Sequence, residues 1–167
     1  MQHSCNWYAV QTYSRHEKTV AKHLGGDGVE TLLPLYQEER KWSDRFKKVD
    51  LPLFPGYVFV RLDDFLGSRV AVLRTSGVIG FVGNPREIGG IPENEMSNIR
   101  MLVAGQIPCR PHPHITVGQR VRVRSGSLAG LEGILIRVDK DSSLVLSVNL
   151  IQRSLSIKIQ GYALEAA

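Results

Sequence analysis

The side chains best suited to chemistry in this sequence are one cysteine and two histidines. Cys109, His112 and His114 form a Cys-x2-His-x-His cluster, and thiolate sulfur and imidazole nitrogen are ligands that zinc prefers. A structural zinc site closes with four ligands, whereas this cluster supplies three and is interrupted by prolines. We therefore expect no metal site, and we interpret the three residues as ordinary members of a connecting segment.

No other set of residues has the spacing that catalysis needs. Asp63 and Asp64 are adjacent, so their carboxylates diverge in a strand, and capping a helix suits them better than acid–base work. No serine lies in a nucleophile-elbow context. Four glycines match neither the dinucleotide-binding nor the P-loop spacing: Gly80, Gly83, Gly89 and Gly90. These patterns favour a binding protein without a cofactor over an enzyme; a hydrolase or nuclease that uses Asp63 or Asp64 is the weakest alternative.

The size and composition suit one domain or two small ones. The chain has 167 residues, of which 43% are hydrophobic and 22% charged. No apolar stretch approaches the ~20 residues that span a bilayer, and the N-terminus lacks the pattern of a signal peptide. Cys5 and Cys109 are too few and too far apart for a disulfide framework. We expect a cytoplasmic monomer with free thiols and no membrane contact.

Positive charge is concentrated in two parts of the chain. The net charge is +5. Residues 1–104 hold 13 Lys+Arg against 12 Asp+Glu, and residues 105–167 hold 8 against 4. Within the first part, residues 40–48 hold five basic residues and one acid. Such patches favour a polyanionic partner through the release of counterions, which indicates nucleic acid.

Hydrophobic periodicity predicts a mixed N-terminal region. Strands are predicted at residues 7–12, 29–35, 57–62 and 78–83, and helices at residues 14–24, 64–73 and 92–104. Ser14 and Glu17 resemble a capping box at the start of the first helix, and the charged segment at residues 37–50 fits either a long hairpin or a loop. This order predicts an α+β sandwich, with helices mainly on one face of an antiparallel sheet.

The strand at residues 57–62 is apolar on both faces until Arg61. A sheet with one solvated face alternates apolar and polar residues instead. Both faces of this strand must therefore be covered. Helices of the same region can cover one face, which leaves open what covers the other.

The C-terminal part has a different pattern. Residues 105–116 contain three prolines without apolar periodicity and are predicted to be a linker. Residues 117–167 contain four or five short strands between Gly, Ser and Asp turns, a spacing typical of a small barrel. The sequence thus predicts an N-terminal domain at residues 1–104, the linker, and an all-β domain.

Four stretches, in this order, resemble the NusG family of transcription elongation factors. They are FPGYVFVRL at residues 54–62, GVIGFVG at 77–83, IPENEM at 91–96 and GQRVRVRSGSLAGLEG at 118–133. The resemblance covers roughly residues 7–164. It implies a NusG N-terminal domain, an α/β sandwich with an antiparallel sheet, followed by a small all-β KOW domain of the SH3-like type. Ribosomal proteins share the KOW pattern, so a ribosome- or RNA-binding KOW protein is an alternative.

Two departures from the general family member indicate a specialised paralogue, and the group that the sequence most resembles is the RfaH/UpxY-like antiterminators, which serve long polysaccharide operons. VNLIQRSLSI at residues 148–157 stands where the general family member has an Ile-Phe-Gly-Arg-like turn. RTSG at residues 74–77 stands where that member has Asn-Thr-Pro-Gly. The resemblance then implies suppression of pausing and termination on specific operons. A general NusG-type factor that couples to Rho or the ribosome is the alternative.

The resemblance implies that the N-terminal domain binds the clamp helices of the RNA polymerase β′ subunit. Phe54, Pro55 and Tyr57 would line the apolar pocket that receives them. Trp7 and Tyr8 begin the neighbouring strand, and for these two residues core packing is an equal alternative.

The resemblance also implies contact with the non-template DNA strand of the elongation complex. The candidates lie in the first helix and in the RTSG turn: Arg15, His16, Lys18, Lys22, His23, Arg74 and Thr75. Among them we favour Arg15, His23 and Arg74. The basic residues 40–48 would reach the upstream duplex.

For the KOW domain the resemblance implies a second partner, either a small-subunit ribosomal protein or Rho. Leu150 and Ile151 lie in the turn that would touch it, and Arg120 and Arg122 alternate on one strand. In RfaH this domain can fold instead as a helical hairpin that masks the polymerase pocket. Because the segment is rich in β-branched residues, we expect a barrel.

Overall fold

A computed structural model describes residues 6–83, 89–115, 117–138 and 141–167. Its elements are β1 (Asn6–Thr12), α1 (Glu17–Gly26), β2 (Glu30–Leu32), β3 (Leu35–Trp42), β4 (Arg45–Pro52), β5 (Tyr57–Leu62), α2 (Phe65–Arg74), β6 (Val78–Phe81), α3 (Glu93–Ala104), β7 (Cys109–His112), β8 (Gln119–Val123), β9 (Glu132–Val138), β10 (Asp141–Val148), a 3-10 turn (Asn149–Ile151), β11 (Arg153–Lys158) and β12 (Leu164–Ala166). The chain divides into two compact units, Met1–Glu93 and Asn94–Ala167.

The first unit is built on a four-stranded antiparallel sheet with the order β2-β5-β1-β6. The central pair runs from Asn6 opposite Leu62 to Gln11 opposite Tyr57. α1 and α2 separate the strands along the chain, as the sequence predicts. The α+β class with an antiparallel sheet is therefore confirmed.

The two helices bury one face of this sheet. The core cluster there joins side chains of β1, β5, α1 and α2: Tyr8, Val10, Val20, Leu24, Val58, Val60, Leu62 and Val72. The Tyr8 ring also lies against Phe65 and Phe81, at centroid distances of 4.8 and 6.2 Å. Each large apolar side chain buried in this way contributes roughly 1.5–3 kcal/mol. This cluster fixes the positions of both helices on the sheet.

The opposite face of the sheet is also withdrawn from solvent. Trp7 and Phe59 are buried there, while Tyr57 and Arg61 are half-buried. The backbone N–H of Ile91 donates to the Trp7 carbonyl over 2.7 Å. The apolar character of β5 on both sides is thus matched by burial on both sides.

The charged segment forms a hairpin and not a loop. β3 and β4 pair over eight positions, from Leu35 opposite Pro52 to Trp42 opposite Arg45, and make a two-stranded sheet of their own. At its base, Lys18 Nζ of α1 donates to the Asp50 carbonyl over 2.6 Å. The hairpin is thereby tied to the first unit near its base.

The predicted capping box at the start of α1 is wrong. The helix begins at Glu17 with His16 at the N-cap position, and no side chain caps it. The Glu17 carboxylate is buried and accepts the backbone N–H of Gly56 over 2.8 Å instead. A long-range hydrogen bond therefore replaces the expected local one with Ser14.

The second unit contains a six-stranded antiparallel sheet with the order β12-β8-β9-β10-β11-β7. Side chains from three strands and the β8–β9 connection form its core: Val121, Val123, Leu128, Leu131, Leu144, Leu155 and Ile157. The strands expected in a KOW domain are confirmed, and the C-terminal segment is not a helical hairpin in this structure.

Part of the segment expected to be a linker belongs to this sheet. Cys109–His112 forms β7, which pairs with β11 from Ser154 opposite His112 to Ile157 opposite Cys109. Proline is tolerated in β7 because the strand lies at the sheet edge, where one side needs no N–H donor. α3 groups with the second unit. The domain boundaries given by the sequence stay predictions.

Within the described ranges, no helix is long and apolar enough to cross a membrane.

Candidate functional site

The C-terminal ends of α1 and α2 form a shallow groove in the first unit. Lys22 and His23 reach it from α1, and Arg74 and Thr75 reach it from the end of α2. The groove has a volume of about 490 Å³. Four of the seven residues predicted to contact DNA are thus brought together from two distant parts of the sequence.

The turn after α2 sets the position of Arg74 and Thr75. The Val78 N–H donates to the Thr75 carbonyl over 3.1 Å, and Gly77 between them has φ 96°. This hydrogen bond with a positive φ at the third residue is typical of a type II turn, which requires glycine there. A Cβ on Gly77 would also lie 2.9 Å from Val20 of α1. The glycine therefore allows the turn to approach α1 closely.

The charge of the groove suits an anion of modest size. Lys22, His23 and Arg74 are exposed, and Asp27 is the acid in the lining. The net charge of the lining residues is positive even when His23 is neutral. Ammonium and guanidinium groups can hold a phosphate, and the Thr75 hydroxyl can add a hydrogen bond. These groups can bind and orient an anionic ligand.

The other three DNA candidates lie outside the groove lining. Arg15 and His16 precede α1 and are exposed. The Lys18 ammonium is hydrogen-bonded to the base of the hairpin. Their role in DNA binding stays a prediction.

A second candidate region is the turn that leads into β5. Gly56, with φ 84°, donates its N–H to Glu17, and its carbonyl accepts the Thr12 N–H over 2.8 Å. These bonds hold the turn between α1 and the end of β1. Pro55 next to it is exposed. Sequence reasoning missed the positioning role of Glu17, although a glutamate on the face of α1 that carries Val20 and Leu24 is a signal for one.

The aromatic residues around this turn differ in exposure. Phe54 is 1% exposed and packs edge-on against Phe59 at 5.5 Å. Trp7 and Tyr8 are buried as well, whereas Tyr57 is half-buried. The structure thus gives Trp7 and Tyr8 the core-packing position that the sequence offered as an alternative. Polymerase binding by these side chains stays a prediction.

In the second unit, the 3-10 turn presents the candidate residues of the KOW domain. Ile151 is buried and Leu150 is half-buried. The Asn149 amide in the same turn donates to the Glu95 carboxylate of α3 over 2.8 Å. Burial raises the pKa of the Glu95 carboxyl, and the hydrogen bonds from Asn149 oppose that effect. Because Ile151 is buried and Leu150 is only half-buried, Leu150 is the residue of this apolar pair that a partner can reach more easily.

The candidate arginines of β8 have different surroundings. Arg122 Nε donates to Glu132 Oε1 over 2.6 Å, and its guanidinium lies 3.8 Å from Glu165. Arg120 is exposed and lines a groove of about 450 Å³ in the second unit. Arg120 is thus the freer of the two for a partner.

The Cys109 cluster does not form a metal centre in the structure. Cys109 is buried, its Sγ lies 3.1 Å from the Ile107 carbonyl, and burial raises the pKa of the thiol to about 11. Among the described residues, no three His, Cys, Asp or Glu side chains come close enough to hold a metal ion. The other cysteine, Cys5, lies outside the described residues.

Comparisons with known proteins agree on one family. The family model described as "Transcription termination factor nusG" matches residues 5–100. The "Transcription termination/antitermination protein NusG" of Deinococcus radiodurans is 35% identical, over 85% of this chain and 88% of that protein. The protein of the same name from Borreliella burgdorferi is 26% identical, over 92% of this chain and 94% of that protein.

The solved structure "Domain interaction in Thermotoga maritima NusG" resembles this chain, with a TM-score of 0.58 and 21% identity over 99% of each chain. That likeness supports the fold. Because the family model matches more than half of the sequence and a relative above 30% identity covers most of it, the chain belongs to the NusG family of transcription termination and antitermination factors.

Proposed function

We propose that this NusG-family protein is a specialised antitermination factor. It binds the β′ clamp helices of RNA polymerase and the non-template DNA strand, and it suppresses pausing and termination on long polysaccharide operons. The observation that carries the proposal is the position of Arg74. This residue distinguishes RTSG from the turn of the general family member, and it lines the basic groove with Lys22 and His23.

The groove supports recognition of an unpaired or flipped nucleotide. Lys22 and Arg74 would position the phosphates, while His23 and the Thr75 hydroxyl would contact the base or sugar. The factor makes and breaks no bond. It acts by binding the active elongating state of polymerase better than the paused state.

The turn before β5 supports the polymerase contact. Pro55 and Tyr57 would touch the clamp helices, and Phe54 beneath them would hold the turn in place. A rigid turn suits an interface because little conformational entropy is lost when it binds. Buried aromatic anchors commonly contribute about 2 kcal/mol or more to an interface.

The two contacts are tested separately. Capture of polymerase tests the polymerase contact, and an in vitro elongation assay on the leader of the gene's own operon tests the DNA contact. Tyr57→Ala should abolish capture of polymerase, while the exposed Tyr13→Ala should leave it unchanged. Arg74→Ala should retain polymerase capture and lose recruitment at a specific pause sequence. Arg69→Ala is its control, because Arg69 lies on α2 outside the groove. Wild-type recruitment by the Arg74 variant would overturn the DNA assignment.

A general NusG-type role is a second candidate. The relatives named above are termination/antitermination proteins, and the KOW domain would then couple to Rho or to the small ribosomal subunit through Leu150 and Arg120. A Rho-dependent termination assay distinguishes the two. Stimulation of Rho would favour the general role, and readthrough confined to one leader would favour the specialised role.

A further inference from the structure

The tip of the β3–β4 hairpin carries exposed aromatic rings among positive charges. Trp42 is 60% exposed and Phe46 is 72% exposed. Large apolar side chains of this size are usually covered in a stable fold. Neither ring belongs to the core cluster of the first unit, so a partner outside the fold can use them.

The strand register places the two rings on opposite faces of the hairpin. Trp42 is opposite Arg45, and Lys41 is opposite Phe46. Residues opposite each other in an antiparallel pair share a face, and the next pair along faces the other way. Phe46 therefore shares its face with Lys41, and Trp42 does not.

Three cations share the face of Trp42. Arg45 lies opposite it, and Arg40 and Lys47 form the next pair on the same side. The Lys47 ammonium lies 5.8 Å from the centroid of the Trp42 ring. Arg40 is ion-paired with Glu38 at 3.0 Å, which offsets part of its charge. A largely exposed indole, surrounded by net positive charge, is complementary to an anion that also has an aromatic ring.

We propose that the Trp42 face of this hairpin binds an unpaired polynucleotide strand, with a base stacked on the indole and phosphates held by Arg45 and Lys47. Base–aromatic stacking combined with a basic track is the usual means of binding single strands. A duplex can reach the same cations through its phosphates, as the resemblance implies for residues 40–48, but its bases are already stacked on both sides and present edges only, so it should bind more weakly than a single strand. Base stacking and phosphate contacts do not use the 2′-hydroxyl, so DNA and RNA strands should bind alike.

This site is separate from the groove at the ends of α1 and α2 and does not require polymerase. The full-length protein alone is therefore used in the test. The probes are fluorescein-labelled 12-nucleotide DNA and RNA strands of one mixed sequence and the matching DNA duplex, in about 50 mM salt, where phosphate contacts are strong. Binding is followed by fluorescence anisotropy.

Trp42→Ala should weaken the binding of both single strands at least about fivefold, because stacking contributes roughly 1–3 kcal/mol per base. Trp42→Phe should retain part of the affinity. Phe46→Ala is the matched control on the other face and should bind like the wild type. Lys47→Gln should lower the slope of log K against log salt by about one.

Tryptophan fluorescence of the wild-type protein tests the contact without relying on a variant that could misfold. The chain has two tryptophans, Trp7 and Trp42, and Trp7 is buried. Addition of a single strand to the wild-type protein should quench the emission of Trp42, and Trp42→Phe should remove that quenching. The proposal is overturned if the strands bind without quenching, if Trp42→Ala binds them normally, if the duplex binds as tightly as the strands, if DNA and RNA differ strongly, or if nothing binds.

Discussion

Two connections between strands place aromatic side chains in opposite environments. At the turn before β5, Phe54 is 1% exposed, and Gly56 is held by the buried carboxylate of Glu17. At the tip of the hairpin, Trp42 is 60% exposed, and the ring contact it makes is with Lys47 of the same hairpin. The difference shows that an aromatic residue in a sequence indicates a contact without indicating whether the fold or a partner makes it.

The largest expected difference is in stability. Phe54→Ala should lower the free energy of unfolding by about 3–5 kcal/mol, since it leaves a cavity beside Phe59. Trp42→Ala should change it by less than about 0.5 kcal/mol, because the residue is at the surface. Urea unfolding followed by circular dichroism measures both. Equal losses for the two variants would mean that Trp42 is packed in solution.

The next largest expected effect on stability comes from losing the hydrogen bond that Gly56 donates to Glu17. Glu17→Ala should cost about 1–3 kcal/mol, because a part-buried N–H loses its acceptor. Glu17→Gln retains an acceptor oxygen and should cost less. The same unfolding experiment compares the two variants. If glutamine is as costly as alanine, the charge of the carboxylate matters and not the hydrogen bond.

The two turns should respond differently to a change of backbone freedom. Gly56 has φ 84° and Ser43 has φ 50°. Gly56→Ala should lose about 1–2 kcal/mol, which is the cost of a left-handed conformation for a residue with a Cβ. Ser43→Gly should stay within about 0.5 kcal/mol, since relief of that cost is offset by the greater freedom of glycine when unfolded. A large loss for Ser43→Gly would show that the serine side chain has a structural role.

The smallest expected effect is a change in the quenching of tryptophan fluorescence, without any loss of stability. Acrylamide should quench the emission of Trp42 and leave that of Trp7, because Trp7 is 2% exposed. Trp42→Phe should therefore remove most of the quenchable fraction. If the variant is still strongly quenched, the sheet face that contains Trp7 is open to solvent.

Local patterns predicted most of the secondary structure. β1, β5, α2 and α3 lie within a residue or two of their expected bounds, because alternation and helical spacing involve neighbouring residues. The prediction of a capping box was wrong because Glu17 takes a partner 39 positions away. β7 was not foreseen because its strand character comes from pairing with β11 and not from its own proline-rich sequence.

The candidate site, too, could be predicted only in part from the sequence. The residue types of the groove could be selected from the sequence, since the resemblance implies DNA contact by the first helix and by the turn at which RTSG departs from the general family member. Their meeting in one groove depends on the approach of Gly77 to Val20, which no local pattern shows.

The family, most of the order of elements and the sign of the charge follow from the residues alone, because they depend on composition and on neighbours in the chain. The exposure of Trp42, the burial of Phe54 and the convergence of Lys22 with Arg74 came from the folded structure. These features depend on contacts between residues far apart in the chain, and the side chain that fills or leaves a given space is settled only when the distant elements pack together.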